Sequence, residues 1–241
     1  LARILAERRA QWEAANPKKP YIEPKGPDVA GLPGLPVGWV WATVEQVADH
    51  RLGKMLDKEK NQGKFYPYLR NANVRWFMFD LVDLQSMRLQ EHELENVSVR
   101  HGDLVVCEGG EPGRAAVWEK SETAIIQKAL HRVRPYLGVL PWYLAYCLAA
   151  DAYSGRLETF FTGSTIRHFT GEAIRLYPFP LPPLHEQERI VAEVQKHLSQ
   201  TESAEQVIDS KLTRAERLRQ GVLGKAFRGE LVANGETSEV F

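Results

Sequence analysis

PFPLPPLHEQERIVAEVQKHLSQ, residues 178–200, changes character part-way along. Its first six residues hold four prolines, which fix φ and remove backbone donors, so a stiff extended segment is expected there. From His185 to about Ala226 there is no proline and the apolar residues fall into a helical rhythm. Val191, Val194, Leu198, Thr201, Glu205, Ile208, Leu212, Ala215, Arg219 and Val222 recur at alternating steps of three and four. That is a heptad seam with polar breaks. At a rise of ~1.5 Å per residue such a helix is on the order of 63 Å long. One apolar stripe on so long a helix needs a second helix to cover it, or the body of its own domain.

Working outward, residues 37–183 read as a mixed, strand-rich domain. The runs Phe65–Leu69, Val74–Phe79, Leu104–Cys107, Ala115–Trp118 and Ala124–Ile126 are short, apolar and separated by turn formers, the mark of strands. Thr43 with Gln46 three residues later predicts a capping box, and Pro141 opens a predicted helix to Ala150. Upstream, residues 16–36 hold six prolines and several glycines and read as a linker. Residues 1–15 place Leu1, Ile4, Leu5, Arg8 and Trp12 on one helical face and read as the end of a preceding helix. The expected fold class is α+β, with a coiled-coil-type helix and tail over 184–241.

Composition narrows the function. The chain has 241 residues, 31 basic and 31 acidic, with 44% hydrophobic side chains. Zero net charge disfavours a purely electrostatic nucleic-acid coat, though not a reader with a local basic face. Residues 37–183 are themselves neutral, with 17 basic and 17 acidic side chains. Two cysteines, Cys107 and Cys147, make neither a disulfide framework nor a four-ligand zinc site, so a reducing, cytoplasmic setting is expected. The apolar run near Val139–Ala150 is too short to span a bilayer. The chain opens at Leu1 without a signal-peptide pattern and reads as a fragment.

Catalytic signatures are missing from the sequence. Gly109, Gly110 and Gly113 are not followed by the Lys-Ser/Thr of a phosphate loop, and they also suit a tight hairpin between Val106 and Ala115. His185-Glu186 begins like a zinc motif, but position 189 is arginine. Asn16-Pro17 is followed by lysine, so it is no methyltransferase loop. The seven histidines share no ligand spacing. A non-catalytic chain with no cofactor and no metal is expected.

Three stretches carry chemistry suited to DNA. The first, 64–79, offers Lys64, Arg70, Asn71, Asn73 and Arg75 among six aromatics. Arginine matches guanine O6/N7 and asparagine matches adenine N6/N7. The second, 107–118, sets Arg114 after the glycine turn. The third, 160–174, groups Ser164, Thr165, Arg167 and His168 behind Gly163. Each has a structural reading too: a strand pair with a polar turn, a hairpin, and a helix capped by Ser164 or Thr170. Lys54, Lys58, Lys60 and Lys64 form a basic loop, or simply a solvated one, since Asp57 and Glu59 sit among them.

GSTIRHFTGEAIRLYPFPLPPLHEQERIVAEV, 163–194, resembles the end of a target recognition domain running into the conserved helix of type I restriction–modification specificity subunits. LPGLPVGWVWATVEQV (32–47) resembles the domain opening of that family, and HGDLVVCEGGEPGRAAVW (101–118) its Gly-Asp strand and glycine turn. LRQGVLGKAFRGELV (218–232) resembles the end of its conserved helix.

The resemblance implies a subunit with two recognition domains, each followed by a long helix. The helices pair and dock methyltransferase subunits, and restriction–translocase subunits join that core. Each domain reads one half of a bipartite double-stranded DNA site. This chain would then be about the C-terminal half, with Val191, Val194, Leu198, Thr201, Ile208, Leu212, Ala215 and Val222 as the pairing face. Two copies could also dimerise through that face. The alternative is a protein-interaction module that dimerises through the same helix.

Overall fold

A computed structural model of the chain describes residues 1–57 and 59–231; Lys58 of the basic loop and the tail 232–241 lie outside the described residues. Helix α1 (Ala2–Ala15) is followed by β1 (Val40–Thr43), α2 (Val44–Val47) and β2 (Ala48–Leu52). Next come β3 (Lys64–Leu69), β4 (Val74–Arg75), β5 (Met78–Phe79), β6 (Gln85–Leu89), α3 (Leu94–Val97) and β7 (Ser98–Val99). The second half holds β8 (Leu104–Cys107), β9 (Ala115–Val117), β10 (Ala124–Ile126) and β11 (Leu130–Pro135). It ends with α4 (Pro141–Tyr153), α5 (Gly171–Leu176), β12 (Pro178–Leu181) and α6 (Leu184–Phe227). This is the α+β class expected.

Two four-stranded sheets lie at the centre, ordered β2-β11-β8-β9 and β6-β3-β10-β7. The first is antiparallel; in the second, β10 runs parallel to β3. Alternation along the strands shows how they stack. Leu104, Val106, Ala115, Val117 and Val133 face a core shared with Tyr143, Leu144 and Leu148 of α4. Their neighbours Val105, Cys107, Ala116 and Leu130 face the opposite way, onto Leu69 and Ile126 of the second sheet. β8 is therefore covered on both sides, which is why LVVC is a continuous apolar run. The far face of the second sheet is closed by Tyr68, Met87, Leu89, Val97 and Ile125.

Three local features depart from the expectations. Val74–Phe79 is not one strand but a hairpin, β4 paired with β5, turning at Trp76–Phe77. The proline stretch 178–181 is a strand after all, and among the described residues β12 pairs only with β1, so its prolines sit on a two-stranded ladder. Helix α4 runs three residues past Ala150. Elsewhere the local chemistry reads through. Thr43 and Gln46 form the capping box of α2, and Thr170, not Ser164, caps α5 by accepting from the Ala173 amide.

The chain groups into two units, Leu1–Val191 and a second from Ala192 onward. The first takes in α1, through Ile4, and the opening turns of α6. There Gln187 is fully buried: its Oε1 accepts from the Leu140 amide at 2.9 Å, and its Nε2 donates to the carbonyls of Gly138 and Pro182 at 3.0 Å each. Val191 sits in the core of this unit rather than on an open seam. In the second unit Val194 is half-buried, and Leu198, Thr201, Ile208, Leu212, Ala215 and Val222 are exposed. Among the described residues no helix is long and apolar enough to cross a membrane.

Candidate nucleic-acid interface

Three turns that are far apart in sequence meet at one end of the two sheets. The first follows β3, where residues 71–73 form a single 3-10 turn. Asn73 builds it. Its Oδ1 accepts from the Arg70 amide at 2.9 Å, and its Nδ2 donates to the carbonyls of Asp80 and Asp83. The second is the β8–β9 connection, a hairpin whose Val106↔Ala115 pair leaves residues 107–114 as the loop. The third runs from Thr162 to His168, which exchange backbone hydrogen bonds at 2.9 Å each.

Short contacts join the three. The Asn71 side-chain amide donates to the Gly109 carbonyl at 3.3 Å. Arg114 Nη2 donates to the Asn71 carbonyl at 3.0 Å. The Phe169 amide donates to the Glu108 carbonyl at 2.8 Å, and a Cβ on Gly109 would stand 3.3 Å from His168 Nδ1. Glycine is required at 110, where φ is +82° and a Cβ would come within 2.5 Å of Asn71 Nδ2.

The candidate residues therefore divide by what their polar atoms already do. Asn73 is 3% exposed and is spent on its turn. Arg114 is 7% exposed, held by Glu111 at 2.5 Å and by Asn71. Arg70 is tied to Asp83 at 2.7 Å, and that guanidinium holds the Asp83 carboxyl below its usual range. Arg167 pairs with Glu158 on the surface. The Arg75 side chain is exposed and, among the described residues, makes no hydrogen bond or ion pair. Ser164 and Thr165 are exposed on the third turn, and His168 is half-buried beneath it. Lys64 does not join the group: it lies at the opposite end of β3, six residues from the first turn, roughly 17–20 Å of strand away.

Two groups escaped the sequence reading. His50 on β2 and His131 on β11 meet with Nε2 and Nδ1 2.9 Å apart, and the Glu108 carboxylate stands 3.1 Å from the far nitrogen of His131. Burial lowers His50 to about 4, helped by the charge of Arg175; burial and the neighbouring His50 lower His131 to about 3. Both rings are neutral near pH 7 and support the glycine turn from below. Cys107 lies against the same surface, and burial pushes its thiol up to about 11, so the thiol stays protonated near neutral pH. Among the described residues no group of three or more His, Cys, Asp or Glu could hold a metal ion.

Residues 36–214 match the family described as type I restriction modification DNA specificity domain. The chain belongs to this family. The resemblance drawn from residues 163–194 is thereby confirmed. A DNA specificity domain is also what a non-catalytic chain should be. Among curated members of the family, the specificity subunit of the Escherichia coli type I restriction enzyme EcoDI is 43% identical over 227 residues, covering 84% of this chain and 44% of that protein. The EcoKI specificity subunit of Escherichia coli K12 is 27% identical over 186 residues, covering 74% and 40%. The HsdS subunit from Thermoanaerobacter tengcongensis has the same fold, with a TM-score of 0.59 at 21% identity, covering 95% of this chain and 53% of that one. A chain from a type I restriction–modification assembly gives a TM-score of 0.67 at 22% identity, covering 95% and 55%. This specificity-domain chain thus spans about half the length of the relatives it matches.

Proposed function

We propose that residues 37–183 are one reading head of a type I specificity subunit and that the head reads one half of a bipartite double-stranded DNA site. The observation that carries this is the meeting of three separate turns, those of Asn71, Gly109–Arg114 and Ser164–His168, beside the unpaired Arg75. Arg75, Ser164, Thr165, Arg167 and His168 are the side chains on this surface that address DNA. Asn71, Asn73, Arg70 and Arg114 shape it. Lys64 serves as a peripheral phosphate contact.

The long helix is the spacer. From Val194 to Val222 its apolar seam is open and suited to a partner helix, either that of a second half of the subunit or that of a second copy. Methyltransferase subunits dock on that framework, and restriction subunits join them. The chain itself makes and breaks no bonds, and it works in the cytoplasm.

The test is a gel shift on randomised DNA with the methyltransferase subunits present. The proposal expects selection of a split site. A helix that dimerises while the head selects no sequence would make the chain a protein-interaction module instead. A four-residue insertion near Glu205 is expected to change the preferred spacing between half-sites while the bases read stay the same.

A further inference from the structure

Phe77 is the one non-glycine residue at positive φ among the described residues, at 66°. A side chain with a Cβ rarely adopts that conformation, because the Cβ crowds the following carbonyl oxygen. Such strain persists only where the surroundings over-determine it. Here they do. The Phe77 amide donates to the Ala115 carbonyl at 3.0 Å. Its ring meets Tyr146 edge-on at 5.1 Å between centroids and Trp142 at 6.2 Å, and Trp76 packs against the same core. The two turn residues of the β4–β5 hairpin are thus anchored inward, onto α4 and β9.

The anchoring fixes what the hairpin shows to solvent. Arg75 and Met78 are direct cross-strand partners, so their side chains leave on one face. Both are exposed, Met78 by 60%. The hairpin lies beside the glycine turn: the Phe77 amide holds the carbonyl of Ala115, the residue after Arg114, whose guanidinium donates to the Asn71 carbonyl at 3.0 Å. A free guanidinium and an apolar thioether are therefore held side by side on a base that Phe77 anchors to α4 and β9.

We propose that this hairpin is a preorganised base-reading probe, in which Met78 packs on the 5-methyl group of a thymine next to the base that Arg75 contacts. The inference rests on the reading of the head as a DNA reader and names a residue and a base feature which that reading leaves open. The thymine methyl is the apolar group a base edge offers in the major groove, and an exposed methionine is its match. Phe77 is the positioning residue.

The experiment uses the chain assembled with its methyltransferase subunits and the site it selects. Each thymine of that site is replaced in turn by uracil, which lacks the methyl, and affinity is measured for wild type, Met78→Ala and Met78→Leu. Wild type is expected to lose about four-fold at one thymine, the worth of one buried methyl. Met78→Ala is expected to bind thymine DNA about that much more weakly and to be blind to uracil at the same position. Met78→Leu keeps the discrimination. The proposal is overturned if Met78→Ala discriminates like wild type, if wild type tolerates uracil throughout, or if the variant loses only assembly with the methyltransferase subunits. A wild-type complex that selects no sequence overturns the reading-head proposal itself, and this inference with it.

Discussion

The side-chain amide of Asn71 donates to the carbonyl of Gly109, 38 residues further along the chain, at 3.3 Å. That bond joins the turn after β3 to the turn after β8, and Arg114 closes the loop by donating back to the Asn71 carbonyl at 3.0 Å. The surface proposed to address DNA is thus built by hydrogen bonds between turns, and neutral groups do most of the joining. A head of zero net charge fits the proposed DNA role if its basic character comes from unpaired side chains such as Arg75 and the rest of the attraction from the proposed partner subunits.

Substitution at Gly110 tests the closeness of that joint. Gly110→Ala puts a Cβ within 2.5 Å of Asn71 Nδ2 at a φ of +82°. The turn strain costs about 1–2 kcal/mol by chemical denaturation. Because the Asn71 side chain must swing away, DNA affinity is expected to fall by more than the fold loses. At Gly163, φ is +90° and a Cβ collides with the Ile166 carbonyl, so Gly163→Ala distorts the exposed third turn. Weaker DNA binding is expected there, together with a stability loss of at least the same order, about 1–2 kcal/mol.

Acid should loosen the head earlier than its carboxylates alone would. His50 titrates at about 4 and His131 at about 3 when folded, against about 6.5 unfolded. The unfolded chain therefore binds more protons below pH 6.5, and stability falls as pH drops from 6.5 toward 4. The slope is at most about 1.4 kcal/mol per pH unit for each histidine. Urea denaturation at pH 7.5, 6.0 and 5.0 measures it. Equal stability at all three would refute the buried pair.

Gln187 ties the start of α6 to the loop before α4 through two hydrogen bonds, to Leu140 and Gly138, and to its own lead-in through a third, to the Pro182 carbonyl. Gln187→Leu strands the buried Leu140 amide and is expected to cost about 1–3 kcal/mol. Gln187→Glu keeps the acceptor but loses both donations, and should also destabilise. Thermal melts of the two variants beside wild type read this directly.

The open seam of α6 predicts association. Ile208 and Leu212 are 55% and 58% exposed, in a heptad pattern. Replacing both with lysine should abolish pairing of the helix with a second helix while the head keeps its melting temperature. Sedimentation of wild type and variant decides this.

How much of this was legible in the sequence follows from locality. The capping box at Thr43, the Val106–Ala115 hairpin and the long helix depend on residues a few positions apart, and each stands where the pattern puts it. The central strand β11 was not visible. LHRVRP carries a buried histidine and a buried arginine, and Arg132 is accommodated only through Asp49 at 2.8 Å and the Glu95 and Ser98 carbonyls. No short window could show partners that distant. The hairpin at 74–79 was hidden for a similar reason, since Phe77 adopts a glycine-like φ only because α4 and β9 hold it. In the site, residue types pointed to three stretches, but which polar atoms remain free depends on neighbours such as Asp83, Glu111 and Glu158.

Arg75 tests the central claim most directly. Sequence selection from randomised DNA, run with the assembled complex, is compared for wild type and Arg75→Ala. The account predicts that Arg75→Ala folds normally, costs about 1–3 kcal/mol in binding, and loses base preference at one or two adjacent positions of a single half-site. The other half-site and the spacing stay as they were. An unchanged site at unchanged affinity, or a uniform weakening with every base preference intact, would contradict it.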